Sequence, residues 1–294
     1  MSAPVAAPRR RGPSAAARTL RRAAAAAFWY ALLSALGLLF LFPLLWSLAS
    51  SLKTLGQVYE FPPSLLVTHP RWSNYAEAMR VLPFPRFILN SFFVCSMSVA
   101  GQLLSASMVA YALARLRWRG RQFWFIVVLA TLMLPYQLLV IPQFLIFRAV
   151  GWVNTFKPLI VPAWLGGGAF AIFLLRQFFM SIPKDLEDAA RLDGATDLEV
   201  LWHIMLPLAR PALITVGVLS FIGTWREFFG PLVYLASPEK YTTALGLAMF
   251  QSVHGSFANL LMAASVITAL PLVVLFFAAQ RFLVRGILLT GLKG

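Results

Sequence analysis

The sequence predicts an all-α, polytopic membrane protein with six transmembrane helices. Hydrophobic residues make up 60% of the 294 residues, whereas soluble domains contain about 45–50%. Charged residues account for only 12% of the chain, and the apolar residues are gathered in long stretches without any charge. A soluble core of this size would leave too much apolar surface in water, so these stretches are expected to cross a membrane.

The charge-free stretches give the positions of the six helices, because a membrane-crossing helix needs about 20 mainly apolar residues. The first four stretches each fit one helix, and the fifth must continue past Arg226 and Glu227 to reach that length. The sixth is long enough for a polar loop followed by a helix. Within one membrane domain of residues 23–294, the expected spans are about 28–50, 87–114, 123–147, 158–180, 209–235 and 258–282.

The basic residues indicate the orientation, because cytoplasmic loops of membrane proteins are enriched in Lys and Arg. With the N-terminus inside, 17 of the 25 basic residues lie on the cytoplasmic side and only seven on the outer side. Both termini are therefore expected in the cytoplasm. This distribution also explains the net charge of +15, so nucleic acid is not expected as a partner.

The N-terminal residues 1–22 are rich in Ala, Arg and Pro, which is typical of a disordered basic tail. We expect this tail in the cytoplasm, close to anionic membrane lipid. The apolar run that follows is about twice as long as the 7–15 residues of a cleavable signal sequence, and we interpret it as an uncleaved first helix.

The sequence offers little support for an enzyme or a metal site. The single cysteine, Cys95, lies in an apolar run and excludes a disulfide framework. None of the five lysines follows a glycine, as the phosphate-binding loop of ATP-hydrolysing proteins requires. The histidines, His69, His203 and His254, are scattered and form no metal-binding motif. No catalytic residue, metal or bound cofactor is therefore expected in this chain.

The most informative segment is the loop 181–207, which holds six of the ten acidic residues. Ser181 and Pro183 predict the start of a short helix, and Gly194 can supply the positive φ that ends one. Thr196 and Glu199 have the spacing of a capping box, which predicts a second helix.

The second predicted helix has one apolar face. Its residues fall at helical spacing: Leu198, Leu201, Trp202 and Met205. Helices that lie on a lipid surface usually have basic polar faces, but this loop has only Lys184 and Arg191 against its six acids. The expected partner is therefore a protein beneath the membrane, which receives the loop in a groove.

The residue order in this loop resembles the signature of ABC importer permeases, which is E-A-A, three residues, Gly, nine residues, I-x-L-P. Here it reads Asp188-Ala189-Ala190, Gly194 and Ile204-Met205-Leu206-Pro207, with every spacing kept. The core at 189–195, Ala-Ala-Arg-Leu-Asp-Gly-Ala, is similar to the maltose and multiple-sugar branch. One departure is that Asp188 replaces the usual Glu, with Glu187 just before it.

The resemblance covers nearly the whole chain after residue 28. Asn90-Ser91 and the segments 173–178, 238–241 and 280–286 are similar to the sugar-importer branch. The segment Trp225-Arg226-Glu227-Phe228 departs from the usual Trp-Asn-(Asp/Glu)-Phe of the fifth span.

The resemblance implies the fold of a type I ABC importer permease in a bacterial cytoplasmic membrane. The implied partners are a second homologous permease, two ATP-binding subunits that bind ATP and Mg²⁺, and an extracytoplasmic solute-binding protein. The loop 181–207, hereafter the coupling loop, would seat in an ATP-binding subunit. The residues implied in coupling are Asp188, Ala189, Ala190, Asp193, Gly194, Ala195, Ile204, Leu206 and Pro207.

Polar residues within the apolar spans are candidates for substrate contacts. Charges inside a span are costly unless they face a cavity or a partner, so Arg226 and Glu227 either line the pathway or form a gate, an inter-subunit ion pair or an interfacial anchor. The remaining candidates, which also suit hydrogen bonding between helices, are Asn90, Gln102, Tyr136, Gln137, Gln143 and Trp225.

Two alternatives to a sugar importer remain open. A glycerol-phosphate importer permease of the same family is one of them. The other is a secondary transporter that works without ATP, for which internal repeats and ionisable residues in several spans would be expected.

Overall fold

The computed structural model describes residues 15–252 and 257–291, with side chains described for 22–251 and 257–281. Every regular element in these residues is helical, which confirms the all-α class. The helices are α1 (Ala15–Ser51), α2 (Leu55–Val58), α3 (Ser73–Val81), α4 (Phe84–Ala114), α5 (Arg121–Ala130), α6 (Tyr136–Ala149), α7 (Lys157–Trp164), α8 (Ala169–Ser181), α9 (Asp185–Leu192), α10 (Asp197–Val200), α11 (Leu206–Leu208), α12 (Arg210–Arg226), α13 (Phe229–Tyr234), α14 (Thr243–Ser252) and α15 (Ala258–Gly291).

Several of these helices are long and apolar enough to cross a membrane. Within the described residues there are four such spans, and six if each of two bent helix pairs is counted as one crossing. The four are Arg22–Ser51, Phe84–Ala114, Lys157–Ser181 and Ala258–Arg281, and the bent pairs are Arg121–Met133 with Tyr136–Ala149 and Asp197–Leu208 with Arg210–Arg226. The chain is a multi-pass membrane protein.

The third expected span, 123–147, is not one straight helix. Its two halves meet at an angle of 100°, at Leu134 and Pro135. Leu134 has an extended backbone, with ψ at 114°, because a residue that precedes proline is pushed out of the helical region. Pro135 also lacks the N–H that would continue the helix.

The fifth expected span, 209–235, is likewise interrupted. α12 ends at Arg226, Glu227 has an extended backbone with ψ at 121°, and α13 begins at Phe229. Pro231 explains the break, because in a continuous helix its ring would clash with the carbonyl group of Glu227 four residues earlier.

Residues 15–22 of the expected N-terminal tail are helical. α1 begins at Ala15, so residues 15–22 belong to the first helix, where Ala and Arg favour helical backbone. Residues 1–14 lie outside the described residues, as do His254 and residues 292–294.

α4 is the central helix and contacts α3, α7, α8, α12 and α14. Its 31 residues extend over about 46 Å. Near its start, Phe84 and Phe87 pack in a buried cluster with Phe250 of α14 and residues of α15. Near its end, Ala106, Ala110 and Tyr111 join a second buried cluster formed with α8, α12 and the coupling loop.

Small residues allow α7 and α8 to approach α4 closely, as is common between membrane helices. The hydroxyl of Ser98 donates to the carbonyl oxygen of Leu159, and the ring nitrogen of Trp164 donates to that of Met97, both at 3.0 Å. Gly167, in the turn between α7 and α8, lies directly against the backbone of Ala106. These contacts fix α8, and therefore the start of the coupling loop, relative to α4.

Candidate functional site

The first half of the coupling loop ends at Gly194 as expected. Gly194 has φ of +89°, its N–H donates to the carbonyl oxygen of Arg191, and the N–H of Ala195 donates to that of Ala190. This pair of bonds is the Schellman arrangement that closes the C-terminus of a helix. The chain then turns sharply between α9 and α10.

The predicted start of that first half was wrong. Ser181 does not cap the new helix: it is the last residue of α8, and its hydroxyl donates to the carbonyl oxygen of Phe178 at 2.7 Å. Pro183 keeps the backbone of Ile182 extended, with ψ at 133°, which ends α8, and α9 begins only at Asp185. Three acids lie in the first turn of α9, where the helix dipole favours negative charge.

The second half begins with the predicted capping box at Thr196 and Glu199. α10 then passes through one turn of π-helix, Leu201–Met205, before α11. In this turn the N–H of Leu206 donates to the carbonyl oxygen of Leu201. Such wide turns are found mainly as single interruptions of longer helices.

The single apolar face expected on this second half is divided. Leu201 and Met205 are buried in the cluster with α4 and α8, whereas Leu198 and Trp202 are 56% and 47% exposed. The π-turn begins at Leu201 and changes the helical spacing of the residues after it. The inner residues attach the loop to the membrane helices, and the outer ones are available to a partner.

The residues implied in coupling therefore lie on the surface or near it. Asp188, Ala189, Asp193, Gly194 and Pro207 are exposed, and Ala190, Ala195, Ile204 and Leu206 are half-buried. The loop also exposes Leu186 and Leu192, the latter to 90%. Exposed apolar residues rimmed by acids are typical of a protein-binding surface.

One element of this site was missed from the sequence. Arg115, the residue after α4, is buried and lies against Glu187 of α9, with 2.8 Å between Nε and Oε1. Burial raises the pKa of the Glu187 carboxyl, and the positive charges of Arg115 and Arg191 oppose that shift. The sequence did show an arginine directly after a helix, Arg115, and a second acid beside Asp188, Glu187. Neither position indicated that the two side chains form a pair.

A second feature is a cavity of about 450 Å³ between α4, α7, α12 and α13. Its polar lining consists of Gln102, Tyr136, Ser220, Thr224, Glu227 and Thr242, and the rest of the lining is apolar or glycine. Glu227 is the one charged residue among the described residues that line it. Hydroxyl, amide and aromatic groups of this kind suit a hydroxylated solute.

Glu227 reaches the cavity because of the break after α12. Its carboxylate Oε1 accepts a hydrogen bond from the N–H of Gly230 at 2.9 Å, at the start of α13. Tyr136, at the start of α6, lines the same cavity, and its ring packs edge-on against Phe229. The two interruptions at Pro135 and Pro231 thus place polar groups beside the cavity.

The other candidate contacts lie elsewhere. The Asn90 amide donates to the carbonyl oxygens of Glu239 and Tyr241 and so holds the loop between α13 and α14. Trp225 is buried, and its ring nitrogen donates to the carbonyl oxygen of Thr268 at 3.1 Å. These two residues therefore have packing and anchoring roles in this structure.

Arg226, Gln137 and Gln143 are also absent from the described lining of the cavity. Arg226 and Gln137 are exposed, and within the described residues Arg226 makes no ion pair. Gln143 accepts a hydrogen bond from the hydroxyl of Tyr234. Arg226 and Glu227 diverge because α12 ends between them.

Comparison with known proteins identifies this arrangement. Residues 102–288, which include the coupling loop and most of the cavity lining, match the family described as binding-protein-dependent transport system inner membrane component. The chain belongs to this family. The permease character expected from the coupling-loop signature is therefore confirmed.

Individual relatives agree with that assignment. The permease is 38% identical to the arabinooligosaccharides transport system permease protein AraQ of Halalkalibacterium halodurans, over 70% of this chain and 73% of the relative. It is 31% identical to the sn-glycerol-3-phosphate transport system permease protein UgpE of Yersinia pestis, over 85% of this chain and 91% of the relative.

Among solved structures, the permease is similar to a bacterial ABC transporter involved in the import of the acidic polysaccharide alginate. The likeness covers 92% of this chain and 99% of that chain, with a TM-score of 0.75 and 25% sequence identity. The protein is thus the membrane-spanning permease subunit of a binding-protein-dependent ABC importer and not an enzyme.

Proposed function

We propose that this permease conducts a neutral sugar or oligosaccharide into a bacterial cytoplasm, and that ATP hydrolysis in partner subunits drives the step. The observation that supports this best is the coupling loop, whose turn is closed by its own hydrogen bonds and whose outer residues are exposed. A surface that is ordered before docking loses less conformational entropy when a partner binds.

The proposed complex contains a second homologous permease, two ATP-binding subunits that hold ATP and Mg²⁺, and an extracytoplasmic solute-binding protein. The coupling loop docks on one ATP-binding subunit, through Leu186, Leu192, Leu198 and Trp202 at its outer surface and through the turn at Gly194. Both termini lie in the cytoplasm, consistent with the distribution of Lys and Arg.

ATP acts on this permease through the coupling loop. The complex alternates between inward-open and outward-open states. ATP shifts the equilibrium between them by an amount set by the difference in its affinity for the two states. The loop is packed on the ends of α4 and α8, and both helices contribute residues to the cavity lining. A movement of the loop therefore displaces helices that line the cavity.

The cavity supports a neutral solute over an anionic one. A carboxylate at about 4 Å from a second negative charge costs about 4 kcal/mol at an effective dielectric constant of about 20, and the described lining contains Glu227 but no Lys or Arg. A glycerol-phosphate importer is the second candidate, since the Yersinia pestis relative is named for that solute. Its phosphate would require a basic residue from the second permease.

The proposal is tested by co-expression with the cognate ATP-binding subunit, second permease and binding protein, followed by reconstitution into lipid vesicles. We expect the ATP-binding subunit to co-purify. The vesicles should accumulate a radiolabelled neutral oligosaccharide only when their lumen contains ATP and the coupling loop faces that lumen. Accumulation without ATP would reject the ATP-driven mechanism. Accumulation of glycerol 3-phosphate in place of every neutral sugar in a panel would favour the second candidate.

A further inference from the structure

The side chain of Arg115 connects the end of α4 to two other elements. Its Nη2 donates to the carbonyl oxygens of Phe179 and Ile182 at the end of α8, and its Nε lies 2.8 Å from the carboxylate of Glu187 in α9. The two side chains of this ion pair are only 3% and 4% exposed. A single buried cation therefore joins α4, α8 and the coupling loop.

Glu187 is the one buried residue of α9. The remaining residues of that helix are exposed or half-buried, and of these Ala190 packs against the apolar cluster, so Glu187 is the most deeply buried attachment of α9 to the membrane helices. By contrast, the second half of the loop is held by apolar residues, including Val200, Leu201 and Met205. The two halves of the loop are thus fixed in different ways.

Another arginine strengthens the junction between α4 and α8. The Nε of Arg176 in α8 donates to the carbonyl oxygen of Leu113 in the last turn of α4 at 3.2 Å, and its guanidinium lies 3.8 Å from the ring centre of Phe125. Arg115 reaches from α4 to α8, and Arg176 reaches back. The ends of the two helices are therefore joined in both directions, and Glu187 attaches α9 to that joint.

The burial of this pair indicates a role in geometry. A buried ion pair is poor evidence for added stability, because the cost of removing both charges from water offsets much of their attraction. Its effect is to hold one arrangement, because a displaced partner leaves an uncompensated charge inside the protein. The other ion pair of the loop, Arg191–Asp197, has the same 2.8 Å separation but is 40% and 54% exposed, and such pairs contribute little.

We infer that Arg115 and Glu187 are positioning residues that transmit movement of the coupling loop to α4. This inference rests on the proposed docking of the loop on an ATP-binding subunit. α4 contributes Val94 and Gln102 to the cavity lining, so a loop that moves together with α4 reshapes the cavity. Without the pair, α9 pivots between Pro183 and Gly194, and nucleotide-driven movement of the loop no longer reaches the helices.

The test uses the assembled complex and compares hydrogen–deuterium exchange without nucleotide and with ATP plus vanadate. Wild type is expected to show a nucleotide-dependent change both in the coupling loop and in the cavity-lining segment 227–234. In Arg115→Gln and Glu187→Gln, the change at 227–234 should fall to about a tenth while the loop itself still responds. Asp197→Asn, which removes the acid of the exposed pair and leaves Arg191 in place, should behave as wild type.

The double variant Arg115→Gln/Glu187→Gln removes both buried charges and so leaves no unpaired charge inside the protein. It keeps the inference testable if the single variants misfold. It should assemble and hydrolyse ATP, yet lack the response at 227–234. A wild-type response at 227–234 in any assembled variant of the pair would overturn the inference. So would failure of all three variants to assemble while Asp197→Asn assembles, because the pair would then serve folding alone. Absence of any loop response in wild type would instead reject the proposed function.

Discussion

The backbone N–H of Thr196 donates to the Glu199 carboxylate at 2.7 Å, and the N–H of Glu199 donates in return to the Thr196 hydroxyl at 3.4 Å. These two bonds satisfy N–H groups at the start of α10, which have no partner within the helix. The second half of the coupling loop is thus shaped by local groups before any partner binds. A second capping box, formed by Thr54 and Gln57, begins α2, which follows α1 in the chain.

Thr196→Ala is expected to weaken docking of the ATP-binding subunit. Loss of a capping hydroxyl costs about 1 kcal/mol, which increases fraying of α10 and reduces affinity for the subunit by about fivefold. The measurement is titration of the detergent-solubilised permease with the purified ATP-binding subunit. Thr54→Ala removes the matching cap from α2 and should leave that affinity unchanged. Equal losses in both variants would contradict a role of this cap in docking.

The cap of α10 should also depend on pH. The hydrogen bonds from Thr196 hold the pKa of the Glu199 carboxyl below its usual value. A lowered folded pKa means that the stabilisation is fully present above the usual carboxyl pKa and is lost as pH falls through the folded value. Exchange protection of α10, corrected for intrinsic rates, should therefore decline between about pH 5 and about pH 3. α2 should show no such decline, because Gln57 does not titrate.

Gly194→Asp should abolish ATP-driven uptake while the protein still inserts. The turn needs φ of +89°, which asparagine and aspartate tolerate better than most residues, so the fold is retained. The added side chain meets no atom of this chain within 4 Å and projects from the docking surface. Co-purification of the ATP-binding subunit should fall about tenfold. Gly151→Asp, at φ of +69° in an equally open turn, is the control, and wild-type uptake by Gly194→Asp would exclude docking at this turn.

The features of the coupling loop that the sequence predicted are those with local causes. A glycine with positive φ ends α9, and a threonine and a glutamate three residues apart start α10, so neighbouring residues suffice to determine both. The span breaks also had local signals in Pro135 and Pro231. Length and hydropathy alone concealed them, because a broken helix and a straight one have the same composition.

The features that could not be predicted depend on residues distant in the chain. Arg115 and Glu187 form a pair only because α8 returns the chain to the end of α4. The division of Leu201 from Trp202 likewise follows from packing against α4 and α8. Helical periodicity assigns both residues to one face, but it does not specify which part of that face a neighbouring helix covers.

Gly167→Ala should destabilise the permease far more than Gly166→Ala. A Cβ at Gly167 would lie 2.5 Å from the backbone nitrogen of Ala106, and its φ is +66°, whereas a Cβ at Gly166 meets nothing within 4 Å. Backbone strain and overpacking together predict a loss of about 2–4 kcal/mol at Gly167, against about 0.5 kcal/mol at its neighbour. Unfolding in mixed detergent micelles measures both. A similar free energy of unfolding for the two variants would rule out close contact between α4 and the turn after α7.

Glu227→Gln separates two roles of Glu227. The amide oxygen of glutamine can still accept from the N–H of Gly230, so α13 keeps its first hydrogen bond, while the cavity loses its one described charge. We expect stability within about 0.5 kcal/mol of wild type. Glu227→Ala loses the hydrogen bond as well and should be less stable by about 1–3 kcal/mol.

The charge should determine which solutes the cavity rejects. Removing even about a third of the repulsion of about 4 kcal/mol changes a binding ratio by about tenfold, so Glu227→Gln should raise inhibition of neutral-sugar uptake by glycerol 3-phosphate by at least that factor. Uptake of the neutral sugar itself should change by less than about threefold, because hydroxyl and amide groups remain in the lining. Glu239→Gln makes the same change on the exposed loop between α13 and α14 and should alter neither quantity. If the anion inhibits Glu227→Gln and wild type equally, Glu227 is a cap for α13 and not a determinant of solute charge.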